Sequence, residues 1–309
     1  MRRAFIRTLA ELAGRDERIL LLTADLGYML MEPFRDAFPG RFFNVGVAEQ
    51  NMIGVATGLA DAGFIPFTYS IATFASMRAF EFIRNGPVSH RLPVRMVGAG
   101  AGFGYGRAGP SHHAIEDIAA LRTLPGLCIV APADAAQAAE AIRSTWATDG
   151  PVYYSLAKDT TPAVPGLNGR FELGRAQVVR DGGDIVLIVM GSLATEASKA
   201  ADTLAEQGVH ATVAIVSNFH PDPVDDLRAI LSRHKYVVSI EAQAVSGALG
   251  ALIATVIATN GLQCRLRQLA VSTPPDGTSG SEEDRWRKHG LDRASIEGAA
   301  LEILGKPRP

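Results

Sequence analysis

Apolar runs and amphipathic stretches take turns along the chain. Residues 2–13 place Phe5, Leu9 and Leu12 on one side at helical spacing. Ile19 to Thr23 is a short apolar run closed by Ala24-Asp25-Leu26-Gly27, which predicts a buried strand. A short helix near 32–37 comes next, then apolar Phe42 and Phe43 as a short strand that Gly46 breaks. From Ala48 the spacing turns helical, with Met52, Val55, Ala56 and Leu59 on one face. The same pattern predicts strands near 64–69, 93–97, 127–131 and 152–156, and helices at about 73–84, 114–123 and 134–147. Strands alternating with helices predict an α/β fold whose parallel sheet is covered on both faces.

Pro162, Pro165, Gly166 and Gly169 predict a linker over 161–175. The alternation then restarts. Strand-like runs fall at Ile185–Val189, Ala211–Val216, Tyr236–Ile240 and Arg265–Leu269, with helices near 193–207, 224–233, 247–259, 281–289 and 293–304. A length of 309 residues suits two domains, here 1–160 and a smaller α/β domain over 176–309. The Pro-rich tail 306–309 reads as disordered. The chain is 47% hydrophobic and 20% charged, as a soluble protein with a large core should be. Its formal net charge is −2 without a basic run, so nothing supports a nucleic-acid or membrane partner. Cys128 and Cys264 form no CxxC pair, so neither zinc nor a redox dithiol is indicated, no metal ligands are assigned, and a reducing cytoplasm is expected. Glu11, Arg15 and Asp16 follow the basic start too soon for a signal peptide, and no apolar run reaches the ~18 residues of a membrane span.

Two stretches carry candidate chemistry. The first runs from Asn44 to Ala60, where Glu49 is the only carboxylate among small and apolar residues. An acidic side chain in a first helical turn complements the helix N-terminus. Yet Gly54 and Gly58, four apart and each costing ~1 kcal/mol relative to Ala, call for a close neighbour on their side of the helix. The second is Gly104-Tyr105-Gly106-Arg107-Ala108-Gly109, which matches the dinucleotide fingerprint G-x-G-x-x-G. Pro110, Ser111, His112 and His113 separate its last glycine from the following helix. The acidic residue wanted about 20 positions on comes late, at Asp134. A nicotinamide site is therefore not the reading. His112 and His113 are either helix caps or groups able to exchange protons near neutrality.

Both stretches resemble the transketolase family of thiamine diphosphate enzymes, and the resemblance covers almost the whole chain. It implies a thiamine-diphosphate-binding-type parallel sheet domain followed by a smaller α/β transketolase C-terminal domain. Glu49 falls where the family's Glu hydrogen-bonds N1′ of the cofactor's aminopyrimidine. Phe74 falls where an aromatic ring meets that pyrimidine, flanked by Ile71 and Met77, and Asp25 matches an acid at a strand end near the cofactor. Gly104 to Glu116 is similar to the family loop G-x-G-x-D-G-P-[ST]-H-[QH]. That likeness makes His112 the histidine facing the reacting substrate carbon, with His113 beside it as a second candidate. Glu241 with Gly247 and Gly250, and Ser279-Gly280-Ser281-Glu282-Glu283, resemble two landmarks of the family's C-terminal domain.

Departures from the family pattern are as informative. Ala108 replaces the loop Asp, Gly100 a substrate-facing His, and Met29 a Ser. The phosphate-binding Arg is absent from Ser155-Leu156-Ala157-Lys158-Asp159. Arg2 remains of a phosphate clamp, with Arg107 or Lys158 as replacements. No Gly-Asp-Gly occurs, the signature of the domain that grips the diphosphate through a divalent ion. The resemblance thus implies the small subunit of a split transketolase. It would transfer a two-carbon ketol unit from a ketose or 2-oxo donor to an aldehyde, with Mg2+ or Ca2+ held by a partner subunit. Assembly is expected through a homodimer of helix 48–62 and a heterotetramer of two small and two large subunits. The alternatives are the β subunit of a 2-oxo-acid dehydrogenase, which the Gly-Pro-Ser-His-His loop disfavours, and a non-catalytic assembly partner.

Overall fold

The computed structural model describes residues 1–307; Arg308 and Pro309, the end of the expected disordered tail, lie outside the described residues. The first half contains α1 (Arg2–Ala13), β1 (Ile19–Thr23), α2 (Glu32–Ala37), β2 (Phe42–Asn44), α3 (Glu49–Asp61), β3 (Ile65–Ile71), α4 (Phe80–Ile83), β4 (Arg95–Ala99), α5 (Asp117–Leu121), β5 (Cys128–Val130), α6 (Ala135–Thr145) and β6 (Val152–Leu156). The second half contains β7 (Ala176–Arg180), β8 (Ile185–Val189), α7 (Ala194–Glu206), β9 (Ala211–Val216), β10 (Asn218–Phe219), α8 (Val224–Ser232), β11 (Tyr236–Ala244), α9 (Leu249–Thr259), β12 (Arg265–Val271), α10 (Glu282–Lys288) and α11 (Arg293–Leu304).

These elements build two sheets, of order β10-β5-β6-β4-β3-β1-β2 and β12-β11-β8-β9-β7. Every pairing is parallel except β10 with β5 and β7 with β9. Strands β1, β4, β6 and β8 are buried along their whole length, which is why β1 and β8 read as near-continuous apolar runs, whereas β4 opens on the buried Arg95. The antiparallel strands escaped that reading for opposite reasons. β7 is a half-exposed edge with no apolar run, and β10 is two residues long. β10 also adds a strand from the second half to the sheet of the first. The halves share apolar packing too, with Ile118, Leu121 and Ile129 in one cluster with Phe219, Leu249 and Leu252.

Several helices differ from their periodicity. α5 starts only at Asp117, because Ala114 is drawn back into a two-bond bridge with Gly102. Its N-cap is Glu116, so neither His112 nor His113 caps it. The expected helix at 73–84 is π-helical over Phe74–Arg78, α-helical over Phe80–Ile83, and π-helical again over Arg84–Val88. α3 buries Glu49, Met52, Ile53, Ala56 and Ala60, while Val55 turns outward. Ser281, one of two serines suited to the role, caps α10 in a reciprocal box with Asp284. Among the described residues no helix is long and apolar enough to cross a membrane.

Candidate active site

The connection after β1 runs outward to β2, whereas the one after β3 runs the other way to β4. A crevice at the carboxyl ends of such neighbouring strands is where ligands settle in α/β sheets. Asp25 follows β1, Ile71 ends β3, and Glu49 opens α3 beside them.

Glu49 is 1% exposed. Its Oε1 accepts from the Ser70 hydroxyl at 2.8 Å, and its Oε2 from Arg78 Nη1 at 2.7 Å. The Arg78 guanidinium lies 4.4 Å from the Phe74 ring centroid, and Phe74 meets the His112 ring edge-on at 5.1 Å. The π-helical turn makes this possible. It carries Phe74 and Arg78 at its two ends, and such turns recur at functional sites. The Ser111 hydroxyl sits 2.9 Å from His112 Nδ1, which leaves Nε2 as the nitrogen available to a ligand. The structure therefore gathers Glu49, Phe74 and His112 into one constellation. Ile71 stands at its edge as a strand terminus rather than a member of a helical stripe.

Asp25 belongs to a neighbouring clamp. Its backbone is left-handed (φ 56°). Its Oδ1 accepts from Tyr28 Oη at 2.6 Å and Asn44 Nδ2 at 2.8 Å. Asn44 Oδ1 in turn accepts from the backbone N–H of Asp25 and of Gly46, both at 3.0 Å. The clamp ties the ends of β1 and β2 together just before α3. The Tyr28 hydroxyl, then the Asn44 amide, hold the Asp25 carboxyl below its ordinary pKa.

His113 points elsewhere. It is buried, packs edge-on against Phe103 at 5.0 Å, and Phe103 stacks on His289 of the second half. Burial lowers the His113 pKa, with the nearby charges of Arg285 and His112 acting in the same direction. Arg2 forms a third group. It pairs with Asp159 at 3.4 Å and lies within electrostatic reach of Tyr105 and Lys158, whose ammonium sits 4.6 Å from the Tyr105 ring centroid. Burial pushes the Lys158 pKa down, and Arg2 and Arg107 add to that. Arg107 itself is exposed on the turn 106–108.

Gly104 and Gly106 of the loop serve packing within the chain, whereas Gly109 stands in open space with a left-handed φ of 84°. A Cβ on Gly104 would stand 2.8 Å from Gly100 Cα, and one on Gly106 would stand 2.8 Å from Gly280 O. The loop folds on itself and against α10, so its glycines do not form a phosphate-binding turn at a helix start. Residue spacing missed Ser70, Arg78 and Asn44. Only Arg78 left a trace, as a lone basic residue four places after Phe74 in an apolar run.

Residues 1–163 match the family described as transketolase, pyrimidine binding domain, and residues 174–296 match transketolase, C-terminal domain. The chain is 35% identical to the 6-deoxy-6-sulfo-D-fructose transketolase subunit SqwH of Clostridium sp. (strain MSTE9), covering 98% of this chain and 94% of that protein. It is 33% identical to an apulose-4-phosphate transketolase subunit of Actinobacillus succinogenes, over 88% and 87% of the two chains. A solved structure described as a split gene transketolase, inactive beta4 tetramer, superposes with a TM-score of 0.88 at 34% identity, covering 99% and 98%. The transketolase of Leishmania mexicana shares the fold, with a TM-score of 0.83 at 23% identity, and this chain spans 45% of its length.

Proposed function

The chain belongs to the transketolase family, and on that premise we propose that it is the small subunit of a split, thiamine diphosphate-dependent transketolase. The complex would move a two-carbon ketol unit from a ketose or 2-oxo donor to an aldehyde, and the chain would be active only with a larger subunit. The observation that carries this reading is the water-excluded carboxylate of Glu49, joined through the Arg78 guanidinium to the face of Phe74. That pair suits a planar, protonatable ring, because a carboxylate takes its N–H and an aromatic ring takes its face. A guanidinium of that shape makes both contacts here, so the donor set fits an aminopyrimidine. When bound, thiamine diphosphate would supply the nucleophilic carbon and the electron sink for breaking and making a bond next to a carbonyl.

The residues then divide the work. Glu49 holds a proton at the pyrimidine N1′. Phe74 and Ile71 support the ring, and the Asp25 clamp positions the start of α3. His112, through Nε2, exchanges a proton with substrate oxygen. Buried His113 orders the loop that presents His112, and Arg2 and Arg107 flank the far end of the substrate. Mg2+ or Ca2+ is assigned to the partner subunit together with the cofactor's diphosphate.

The reading divides the chain into 1–160, a connector over 161–175, and 176–309, and it places the complex in the cytoplasm. Assembly uses α3, whose Gly54 and Gly58 face outward, first as a homodimer and then as a heterotetramer with two large subunits. The two relatives named as transketolase subunits, matched over nearly their whole length, support a separate-subunit arrangement. The test is capture of the partner on the tagged chain, followed by assays of ketose-to-aldehyde transfer. Activity is expected only with both subunits, thiamine diphosphate and Mg2+ present. Full turnover by this chain alone, or a lipoyl acyltransferase as the captured partner, would overturn the proposal.

A further inference from the structure

We propose that Arg78 is an internal stand-in for the cofactor's aminopyrimidine, holding the site in the free subunit and leaving it when the cofactor binds. The inference rests on the reading of Glu49 as the pyrimidine's partner. A guanidinium is planar, delocalised and permanently charged. It makes here the two contacts a protonated aminopyrimidine would make, a 2.7 Å donor bond to Glu49 Oε2 and a stack 4.4 Å from the Phe74 centroid. Both occupants cannot lie on one ring face, so the cofactor and Arg78 compete.

Three observations show why the chain would carry such a residue. Glu49 is 1% exposed, and with Arg78 removed only the Ser70 hydroxyl would face its charge. A buried carboxylate left unpaired is strongly unfavourable, so the free subunit needs a placeholder. Arg78 can also leave. Its side chain is 41% exposed, and it ends a π-helical turn beside outward-facing Met77. Finally, no other cation pairs with Glu49 among the described residues, so one side chain controls access to the carboxylate. The apparent affinity for the cofactor is then reduced by the fraction of subunits with Arg78 in place. Arg78 is a positioning residue on this account, because it acts through Glu49.

The test uses the complex with the large subunit and titrates thiamine diphosphate with Mg2+ by calorimetry. Arg78→Gln is expected to bind the cofactor several-fold to about thirtyfold more tightly than wild type, while the free variant chain melts at a lower temperature. Unchanged or weaker binding by a folded Arg78→Gln complex overturns the proposal. A second measurement needs no variant: phenylglyoxal labelling of Arg78, read by mass spectrometry, should quicken when thiamine diphosphate and Mg2+ are added to the wild-type complex. Unchanged or slower labelling also overturns the proposal. Glu49→Gln separates the two levels. If it weakens cofactor binding while Arg78→Gln does not tighten it, only the Arg78 inference fails. If Glu49→Gln leaves affinity at the wild-type value, the Glu49 reading fails and the Arg78 inference falls with it.

Discussion

Each Glu49 oxygen accepts one bond, Oε1 from Ser70 and Oε2 from Arg78, and the Arg78 position is the one a pyrimidine N–H would take. Glu49→Gln keeps the size and the bond to Ser70 but removes the charge that would balance a protonated pyrimidine. A hydrogen bond to a charged group contributes ~1.5–3 kcal/mol, and each 1.36 kcal/mol is a factor of about ten in rate. The substitution should therefore slow proton exchange at the cofactor's C2 by roughly ten- to a few-hundred-fold in the reconstituted complex. Proton–deuterium exchange followed by NMR measures this, and near wild-type exchange would leave Glu49 as no more than a helix-terminal acid. Glu49 stood out in sequence as a solitary carboxylate in an apolar run, and its proposed role came from the family resemblance rather than from that spacing. The partners of Glu49 did not stand out. Ser70 arrives from a strand end and Arg78 from a turn of unusual width, and no periodicity places them against Glu49. The histidine pair was half legible: both residues sit in the recognised loop, but only the fold separates the one facing Phe74 from the one packed on Phe103.

Two helices give predictions of their own. On α3, a Cβ at Gly58 would meet nothing within 4 Å in the chain, so the glycine is not required by the fold of one subunit. Gly58→Leu should raise helix stability by ~1 kcal/mol and yet block subunit association. A higher melting temperature together with a monomer by analytical ultracentrifugation is the expected pair of results, and an intact dimer would remove α3 from the interface. On α9, the first backbone N–H groups of Leu249 and Gly250 both donate to Glu241 at 2.8 Å. Burial nevertheless pushes this carboxyl up from 4.5 to about 7, against the pull of those donors and of Arg122. A raised folded-state pKa means that the stabilisation is complete below the ordinary value and is lost as pH rises through about 7. Urea midpoints of wild type should therefore fall between pH 5 and pH 7.5 by more than those of Glu241→Gln; parallel pH profiles would contradict this. Strand and helix identities were largely readable at this scale, because fully buried parallel strands announce themselves as apolar runs. The segment 73–88 was not, since the i→i+5 bonding of its π turns leaves no mark in a pattern read at 3.6 residues per turn.

At the scale of the whole molecule the two halves are bonded as well as linked. Gln243 on β11 donates to Asp117 Oδ1 at 2.9 Å and to Ala114 O at 3.0 Å, and Ala244 N donates to Ile115 O at 2.6 Å. The second, parallel-dominated sheet was visible in the restart of the strand pattern in the second half of the chain. The bonds between the halves were not, because they join residues more than a hundred positions apart. A fragment ending at residue 163 should therefore aggregate rather than fold as a soluble unit, since it loses Gln243 from Asp117 and β10 from the edge of β5. A monodisperse, cooperatively melting fragment would refute this. The borrowed strand also has a consequence in time. During translation β6 leaves the ribosome about 60 residues before Phe219 does, an interval of several seconds at about 5–20 residues per second. Throughout that interval the nascent sheet carries the unpaired edge of β5, the kind of edge on which neighbouring chains pair. Slow synthesis over 157–219 would lengthen that exposure, so the codons of this stretch bear on the yield of the folded subunit.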